Sequence, residues 1–444
     1  MARKIMEYSL ADFKNYTKHH LLCKNSDRLP QLIEEISSQI QFQQNSKVLL
    51  AEREPVRFLA SFIAAYTAGY PIFLCNPDWG NYEWQQVFDL VQPDIILASH
   101  LEIPATVTTN TNYLPIPNSI MIPTGGSSGK IKFAIHTWET LTASVTGFRK
   151  YFQLEQVHSY CVLPLYHVSG LMQFIRSFVS EGDLVIQNFQ QLEKAIYPVN
   201  LGDFFISLVP TQLQKLLQSS LRDRLAEFQT VLLGGAPAWS ELLTQARSKK
   251  IRLALTYGMT ETASQIATLK PEEFLQGKTN CGKVLPHAQV TICNQQGNLK
   301  IQAESLALGY YPHIFTKPEL TLDDLGYFDQ QGYLNIIGRS SDKIITGGEN
   351  VYPVEVEAAI RDTQMVTDIC VIDIPDPHWG QAVIAIYVPK ANTSITTLQT
   401  TLKNKLSKFK IPKHWIPLTK LPRNSQGKIN RQSLQQLALT LLQK

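Results

Sequence analysis

Long uninterrupted apolar runs are missing from this chain, and with them any segment of membrane-spanning length. The opening stretch, Met1 to Lys14, mixes Arg3, Lys4, Glu7 and Asp12 with apolar residues and so lacks the core of a signal peptide. Cysteine is scarce: six residues, at 23, 75, 161, 281, 293 and 370, lie far apart with no paired metal-ligand spacing, which reads as buried thiols in a reducing cytoplasm. Asp and Glu are absent from Pro377 to Lys444, where eleven Lys or Arg stand. Taking these from the 41 basic residues leaves 30 against 37 acidic ones, so the overall +4 hides a cationic end on an acidic body. Such an end attracts polyanions; a merely solvated basic face is the alternative, and a nucleic-acid binder would also use one.

What is present is enough apolar content, 44% with 18% charged residues over 444 positions, for a globular protein with two or more cores. Residues 46 to 99 read as repeated βα units. Lys47 to Ala51 is a short strand, Pro55 opens a helix that stops at Gly69, and Ile72 to Cys75 and Asp94 to Ala98 are strands around a second helix with Tyr82 and Phe88. Strand signals continue at Asp183 to Ile186, Phe205 to Val209, Thr230 to Leu233 and Leu253 to Thr256. The pattern predicts an α/β fold of doubly wound layers.

Thr124-Gly125-Gly126-Ser127-Ser128-Gly129-Lys130-Ile131-Lys132 follows the apolar run Ile120 to Ile122. Three glycines, three hydroxyls and two lysines let backbone N–H groups turn inward beside positive charge, which suits a polyphosphate. The bland reading is a flexible surface loop. Two familiar phosphate motifs fail by spacing. A Walker loop needs glycine where Thr124 stands and Ser or Thr where Ile131 stands; a dinucleotide fingerprint also lacks its first glycine at Thr124. Beyond the loop, Lys132 to His136 resumes as a strand and Thr137 can cap the next helix.

Leu163 to Gly170 follows a strand and opens a helix whose N-terminus favours an anion. It is no hydrolase nucleophile elbow, since His167 occupies a glycine position. Arg176 lies seven residues beyond Ser169, two turns along the same face, among Phe174, Ile175 and Phe178. Buried there it needs an anionic partner; otherwise it snorkels to the surface. Gly234-Gly235-Ala236-Pro237 either admits a flat ligand to the backbone or is an ordinary β-to-α turn.

From Gly282 to Arg339 short alternating runs separated by turns, such as Gln295-Gln296-Gly297-Asn298, predict a small β subdomain. After Arg339 an α+β pattern follows. A helix runs from Tyr352 to Arg361, Ile369 to Ile374 and Ala382 to Tyr387 are strands, and Leu398 to Phe409 is a basic helix.

Four distant stretches, in order, resemble the adenylate-forming acyl-CoA synthetase superfamily: Tyr257-Gly258-Met259-Thr260-Glu261-Thr262, Gly332 to Arg339, Gly347 to Glu357, and Asn424-Ser425-Gln426-Gly427-Lys428-Ile429. The resemblance covers about residues 45 to 435 and implies an adenylation domain over 1–340, with its β subdomain at about 265–340, and a mobile α+β domain over 341–444 hinged near Ser341. It implies ATP, Mg²⁺ and CoA as the small molecules used. The family's glycine loop is usually Thr-Ser-Gly-Ser-Thr-Gly-x-Pro-Lys, so Gly125, Ser128 and Ile131 are departures.

By this resemblance Lys428 is the adenylation lysine, Thr260 donates to a phosphate and Glu261 holds Mg²⁺. Thr124, Gly125, Gly126, Ser127, Ser128, Gly129 and Lys132 face the pyrophosphate. Gly235, Ala236, Pro237, Thr256, Tyr257, Gly258 and Met259 line the nucleotide, with Asp324 and Arg339 on its ribose; an Asp324–Arg339 structural ion pair is the alternative. The family's usual glycine before this Asp is Asp323 here. Gly347 and Gly348 form either a plain turn or a channel for the pantetheine arm of CoA.

Tyr166-His167-Val168-Ser169-Gly170 with Arg176, together with Gly234 in its Gly-Gly-Ala-Pro turn, resembles the o-succinylbenzoate-CoA ligases of menaquinone and phylloquinone synthesis. That implies an aromatic dicarboxylic acid whose second carboxylate meets Arg176, assisted by Ser169, with His167 orienting the substrate. The resemblance points away from nucleic acid and stable membrane insertion and leaves oligomeric state open. Another aryl- or acyl-CoA ligase shares the same ATP motifs, and a stand-alone enzyme loading a carrier protein remains a further alternative.

Overall fold

The computed structural model describes residues 8–40, 46–99, 116–125, 130–192, 196–293, 297–391, 393–403, 405–423 and 429–442. Two large sheets dominate the first three quarters of the chain. One has seven strands, ordered His313–Ile314, Gly309–Tyr310, Ile131–His136, Ile120–Gly125, Ile72–Leu74, Val48–Leu50, Ile95–Leu97, the last four parallel. The other has eight: six parallel strands, Leu21–Cys23, Leu184–Ile186, His158–Cys161, Phe204–Leu208, Thr230–Leu233 and Leu253–Met259, continued by antiparallel Ser264–Thr268 and Lys283–Val284.

Local chemistry sets the helix starts. Pro55 occupies the first turn of Pro55–Thr67, with Glu54 accepting from the Arg57 N–H, and Gly69 takes the left-handed conformation just past its end. Thr137 and Thr140 bond reciprocally to open Trp138–Phe152. These helices and Val168–Val179 fill the space between the sheets. Phe13, Tyr66, Trp138, Phe174 and Phe178 pack there in one cluster with residues of both sheets, and Phe13 stacks on Phe178 at 4.4 Å between centroids. Every residue from Gly170 to Phe178 is buried, so this helix has no solvent face.

The small sheet is narrower than the sequence suggests. Its four antiparallel strands are Ala288–Ile292, Asn298–Ala303, Leu320–Phe328 and Leu334–Arg339. The expected start near 265 moves to Ala288, because Ser264–Thr268 and Lys283–Val284 extend the eight-stranded sheet, while Gly309–Ile314 joins the sheet of the glycine loop. Gln295 and Gln296 of the expected turn lie outside the described residues.

The last hundred residues form a five-stranded sheet in which Gly380–Pro389 pairs with Val366–Asp376, Ile344–Thr346 and His414–Pro417. Pro353–Arg361 and Arg431–Leu442 pack on it. The expected basic helix to Phe409 ends at Lys403; Lys405 and Leu406 N–H groups both turn back to the Leu402 carbonyl, and Lys408–Lys410 is a separate 3₁₀ turn. Among the described residues, no helix is long and apolar enough to cross a membrane.

Candidate functional site

The strand Leu253–Met259 leaves the sheet into a 3₁₀ turn, Thr260–Thr262, that carries Thr260 and Glu261. Gly258 has no room for a side chain: a Cβ there would lie 2.1 Å from the Ser264 carbonyl oxygen. The turn then bends back through Ala263 (φ 50°) and Ser264 (φ 89°), both in the left-handed region that costs a non-glycine residue energy. Successive carbonyls are held from separate elements. His136 Nε2 donates to Thr260 O at 2.8 Å, Ala307 N to Glu261 O at 2.7 Å, Ser305 Oγ to Thr262 O at 2.9 Å and Ser144 Oγ to Ala263 O at 2.7 Å. These contacts keep the strained turn in place. Burial pushes His136 down to about 4, against the pull of the Thr260 carbonyl, so the ring is neutral and donates through Nε2.

Glu261 is buried, and Tyr310 Oη donates to its Oε1 at 2.7 Å. Burial, and then Glu261, raise the Tyr310 phenol, which stays protonated as a donor. Lys132 Nζ lies 5.1 Å from the centroid of the same ring. Thr124 and Lys132 are opposite one another in the hairpin that ends at Gly125 and resumes at Ile131. Gly126, Ser127, Ser128 and Gly129 lie outside the described residues.

At the residues expected to face the ribose, Tyr257 Oη donates to Asp324 Oδ2 at 2.6 Å and Arg339 Nε to Asp324 Oδ1 at 2.9 Å. The structural ion pair is therefore formed, and each carboxylate oxygen keeps a further lone pair. Burial and then Asp324 raise the Tyr257 phenol. Gly234 passes Thr256 so closely that a Cβ would meet its Oγ1 at 2.3 Å, and Gly235 takes φ +79°, which leaves Gly235, Ala236 and Pro237 exposed at the strand ends. Strand ends of this kind are where open α/β sheets collect ligands.

On the other side, the chain from Leu163 closes on the helix Val168–Val179: Gly170 would place a Cβ 2.1 Å from the Pro164 oxygen. His167 occupies the N-cap position, buried, with its ring edge-on to Tyr166 at 4.5 Å. Ser169 sits in the first turn and its carbonyl accepts from Gln173. Arg176, two turns on, is 2% exposed. Its Nη2 donates to Ser264 Oγ at 3.0 Å and Gln265 Oε1 at 2.8 Å, and its guanidinium lies 4.5 Å from the centre of the Phe148 ring. It makes no hydrogen bond to Ser169, and among the described residues no carboxylate pairs with it. Burial pushes it down to about 9.

Comparison with known proteins agrees with this geometry. The family described as AMP-binding enzyme matches residues 116–311, and its C-terminal domain matches 355–428. A 2-succinylbenzoate–CoA ligase of Listeria monocytogenes is 33% identical over 321 residues, covering 70% of this chain and 68% of the relative. The chain belongs to the AMP-binding enzyme family.

A 2-succinylbenzoate–CoA ligase of Bacillus subtilis is 29% identical over 386 residues, covering 83% of this chain and 78% of the relative. In fold, this AMP-binding family member is similar to the o-succinylbenzoate CoA synthetase of Bacillus subtilis in complex with the acyl-adenylate OSB-AMP, with a TM-score of 0.82 over 95% of this chain and 97% of that one at 24% identity. An ATP-bound MatB of Rhodopseudomonas palustris matches with a TM-score of 0.79 at 20% identity, over 97% and 99% of the two chains. At these identities the likeness is one of fold.

Magnesium fits Glu261. One oxygen is held by Tyr310 and the other is left for a cation, while the described residues contain no group of three or more His, Cys, Asp or Glu side chains. A lone carboxylate suits Mg²⁺, which takes much of its coordination from phosphate and water. Lys428 lies outside the described residues, between flanks Arg423 and Ile429 that pair as an isolated bridge. Gly347 and Gly348, with φ 58° and 85°, are the central pair of a tight hairpin turn between Thr346 and Glu349; Gly347 is wedged against Trp379 and Phe409 while Gly348 is open. Asp323 Oδ1 and Oδ2 lie 3.2 and 3.1 Å from the Ser341 N–H, which gives the residue that replaces the usual glycine a defined contact. The cationic end is partly neutralised internally: Lys410 pairs with Glu355, Arg423 with Asp368 and Arg431 with Glu357.

Sequence reasoning missed His136, Tyr310, Ser144, Ser305 and Gln265. The only linear signal was the strand-end position of His136. Gln265 lies just past the Tyr257–Thr262 motif without being part of it, and Tyr310, Ser144 and Ser305 meet the site from segments with no motif of their own.

Proposed function

We propose that this protein is an ATP-dependent acid–CoA ligase that converts o-succinylbenzoate to o-succinylbenzoyl-CoA through an acyl-adenylate, releasing pyrophosphate and AMP. The observation that carries the choice of acid is Arg176: a guanidinium buried between two sheets with no carboxylate partner among the described residues. An uncompensated buried charge is expensive, and a second carboxylate on the substrate supplies what the protein withholds. The names of the sequence relatives support the same acid.

The acid's other carboxylate is a poor electrophile because its leaving group would be an oxide. It attacks the α-phosphorus of ATP, and Thr260, Thr124, Lys132, the glycine-loop donors and Lys428 stabilise the charge that grows there. Mg²⁺ held by Glu261 supplies charge neutralisation on the phosphates when bound. Tyr257 stacks the adenine, Asp324 and Arg339 orient the ribose, and the exposed turn Gly235-Ala236-Pro237 borders the base. His167 and Ser169, at the mouth of the buried helix, and Gly234 orient the acid.

The chain divides at Ser341 into an adenylation domain, 1–340, and a mobile domain, 341–444. Rotation about Ser341 withdraws Lys428 and brings the Gly347-Gly348 turn to the adenylate, where the CoA thiol displaces AMP. The enzyme serves menaquinone or phylloquinone synthesis from the cytoplasm.

The test is pyrophosphate release with ATP and Mg²⁺, with and without CoA, on o-succinylbenzoate, benzoate, a cinnamate and a fatty acid. Strong preference for o-succinylbenzoate with a CoA thioester product is expected. Activity spread over the other acids would discard the pocket assignment, and an adenylate that transfers poorly to free CoA would favour a carrier-loading enzyme.

A further inference from the structure

Around Arg176 more hydrogen-bonding capacity is buried than the protein uses. Among the described residues, Arg176 Nε has no partner, Gln265 Nε2 has none, and neither ring nitrogen of His287 has one. All three side chains are more than nine-tenths buried. Buried polar atoms left in this state are costly unless something else meets them.

The three gather along one face of the helix Trp138–Phe152. Ser144, Gly147 and Phe148, spaced three and four apart, lie on that face. Ser144 holds the Ala263 carbonyl, beside Ser264 and Gln265. Gly147 gives way to the imidazole: a Cβ would sit 1.8 Å from His287 Nδ1. Phe148 lies under the Arg176 guanidinium. Arg176 and Glu304 are the charged groups felt by His287, which burial keeps neutral at physiological pH, so that it offers one N–H.

Gln265 has a defined orientation. Its Oε1 accepts from Arg176 Nη2 and lies 3.2 Å from Ser264 Oγ, which turns Nε2, the amide donor, away from the guanidinium. A carboxylate has about four acceptor sites and takes donors from several directions.

We propose that Gln265 is a specificity-determining residue: it orients Arg176 through Oε1 and donates through Nε2 to the free carboxylate of the bound acid, with Arg176 Nε and His287 as the other donors. The inference rests on the diacid reading above and assigns the second carboxylate to three residues rather than to Arg176 alone. Ser264 and Gln265 come three and four residues after Glu261 and open the strand that leaves the clamped turn, so the receptor for the free carboxylate and the phosphate-facing residues share one rigid segment.

The experiment compares wild type, Gln265→Met and Gln265→Glu as full-length enzymes, measuring KM and kcat of pyrophosphate release for o-succinylbenzoate and for benzoate. Gln265→Met removes both polar atoms at similar length and should raise KM for o-succinylbenzoate about 10- to 100-fold more than KM for benzoate. Gln265→Glu places a carboxylate on Arg176 and should discriminate against the diacid more strongly than Met does. Equal changes for the two acids, or an undiminished preference for o-succinylbenzoate in both variants, would overturn the assignment of Gln265 while leaving the diacid reading standing. A wild type without preference for o-succinylbenzoate would remove the diacid reading and this inference together. Benzoate turnover and thermal melting of each variant separate loss of fold from loss of recognition.

Discussion

The carboxylate of Asp323 accepts the backbone N–H of Ser341, at 3.1 and 3.2 Å from its two oxygens, and the Asp323 carbonyl accepts the N–H of Ser340. One residue of the small sheet thus grips both positions where the chain leaves it. Asp323 stands where the family usually has glycine, so this contact belongs to this chain's own version of the proposed hinge. Asp323→Ala should change the thioester-forming half-reaction, which depends on the proposed rotation, by about fivefold, the effect of roughly 1 kcal/mol of hydrogen bonding. Single-turnover pyrophosphate release should stay within about twofold. An equal effect on both half-reactions would separate Asp323 from the hinge.

Lys428→Ala should reduce adenylate formation at least 100-fold, about the loss expected for a principal donor to transition-state charge. Thioester formation from preformed acyl-adenylate should remain largely intact, because the proposed rotation withdraws the lysine before that step. Measuring the two half-reactions separately on one preparation decides it; parallel losses would contradict the two-conformation scheme.

Arg176 predicts opposite effects on stability and on substrate recognition. Burial lowers it to about 9, and its protonated form is the one an anion binds. Affinity for the diacid should be level from pH 7 to about 9 and then fall by up to tenfold per unit as the free enzyme loses the charge; His287, neutral from about 4 upward, adds no step in that window. Arg176→Met removes an unpaired buried charge and should raise the melting temperature by about 2 °C or more while abolishing the diacid preference. A melting temperature that falls would mean that the guanidinium's bonds to Ser264 and Gln265 outweigh its burial.

His136 acts through Thr260. His136→Ala should lower kcat for pyrophosphate release about tenfold by freeing the Thr260 carbonyl, and His136→Gln, which can still donate, should recover part of it. Because the folded-state value is about 4 against an ordinary 6.5, the unfolded chain takes up the proton first as pH falls. The His136 contribution to stability is thus full above about 6.5 and declines toward 4, by about 3 kcal/mol in all. Urea midpoints at pH 7 and pH 5 for wild type and His136→Gln test this; the wild type should lose more.

Much of the architecture was legible because its signals are local. Pro55, Thr137 and Pro353 mark helix starts by steric and capping rules that involve only neighbouring residues. Boundaries moved where pairing partners decided them. The strand expected to stop at Thr256 continues to Met259 because Ser264–Thr268 returns beside it, and that same return takes the segment near 265 out of the small sheet.

The sequence by itself therefore determined the order of elements, the glycine positions and the motif that names the family, since these depend on side chains a few residues apart. Tertiary structure alone decided that Arg176 is buried with no carboxylate partner among the described residues and held by Gln265, 89 residues away, that Tyr257 finds Asp324 across 67, and that His136 reaches Thr260 across 124. Contacts at such separations carry no periodicity or spacing. They arise only when two sheets close on one helix and every buried donor must find an acceptor or wait for a ligand.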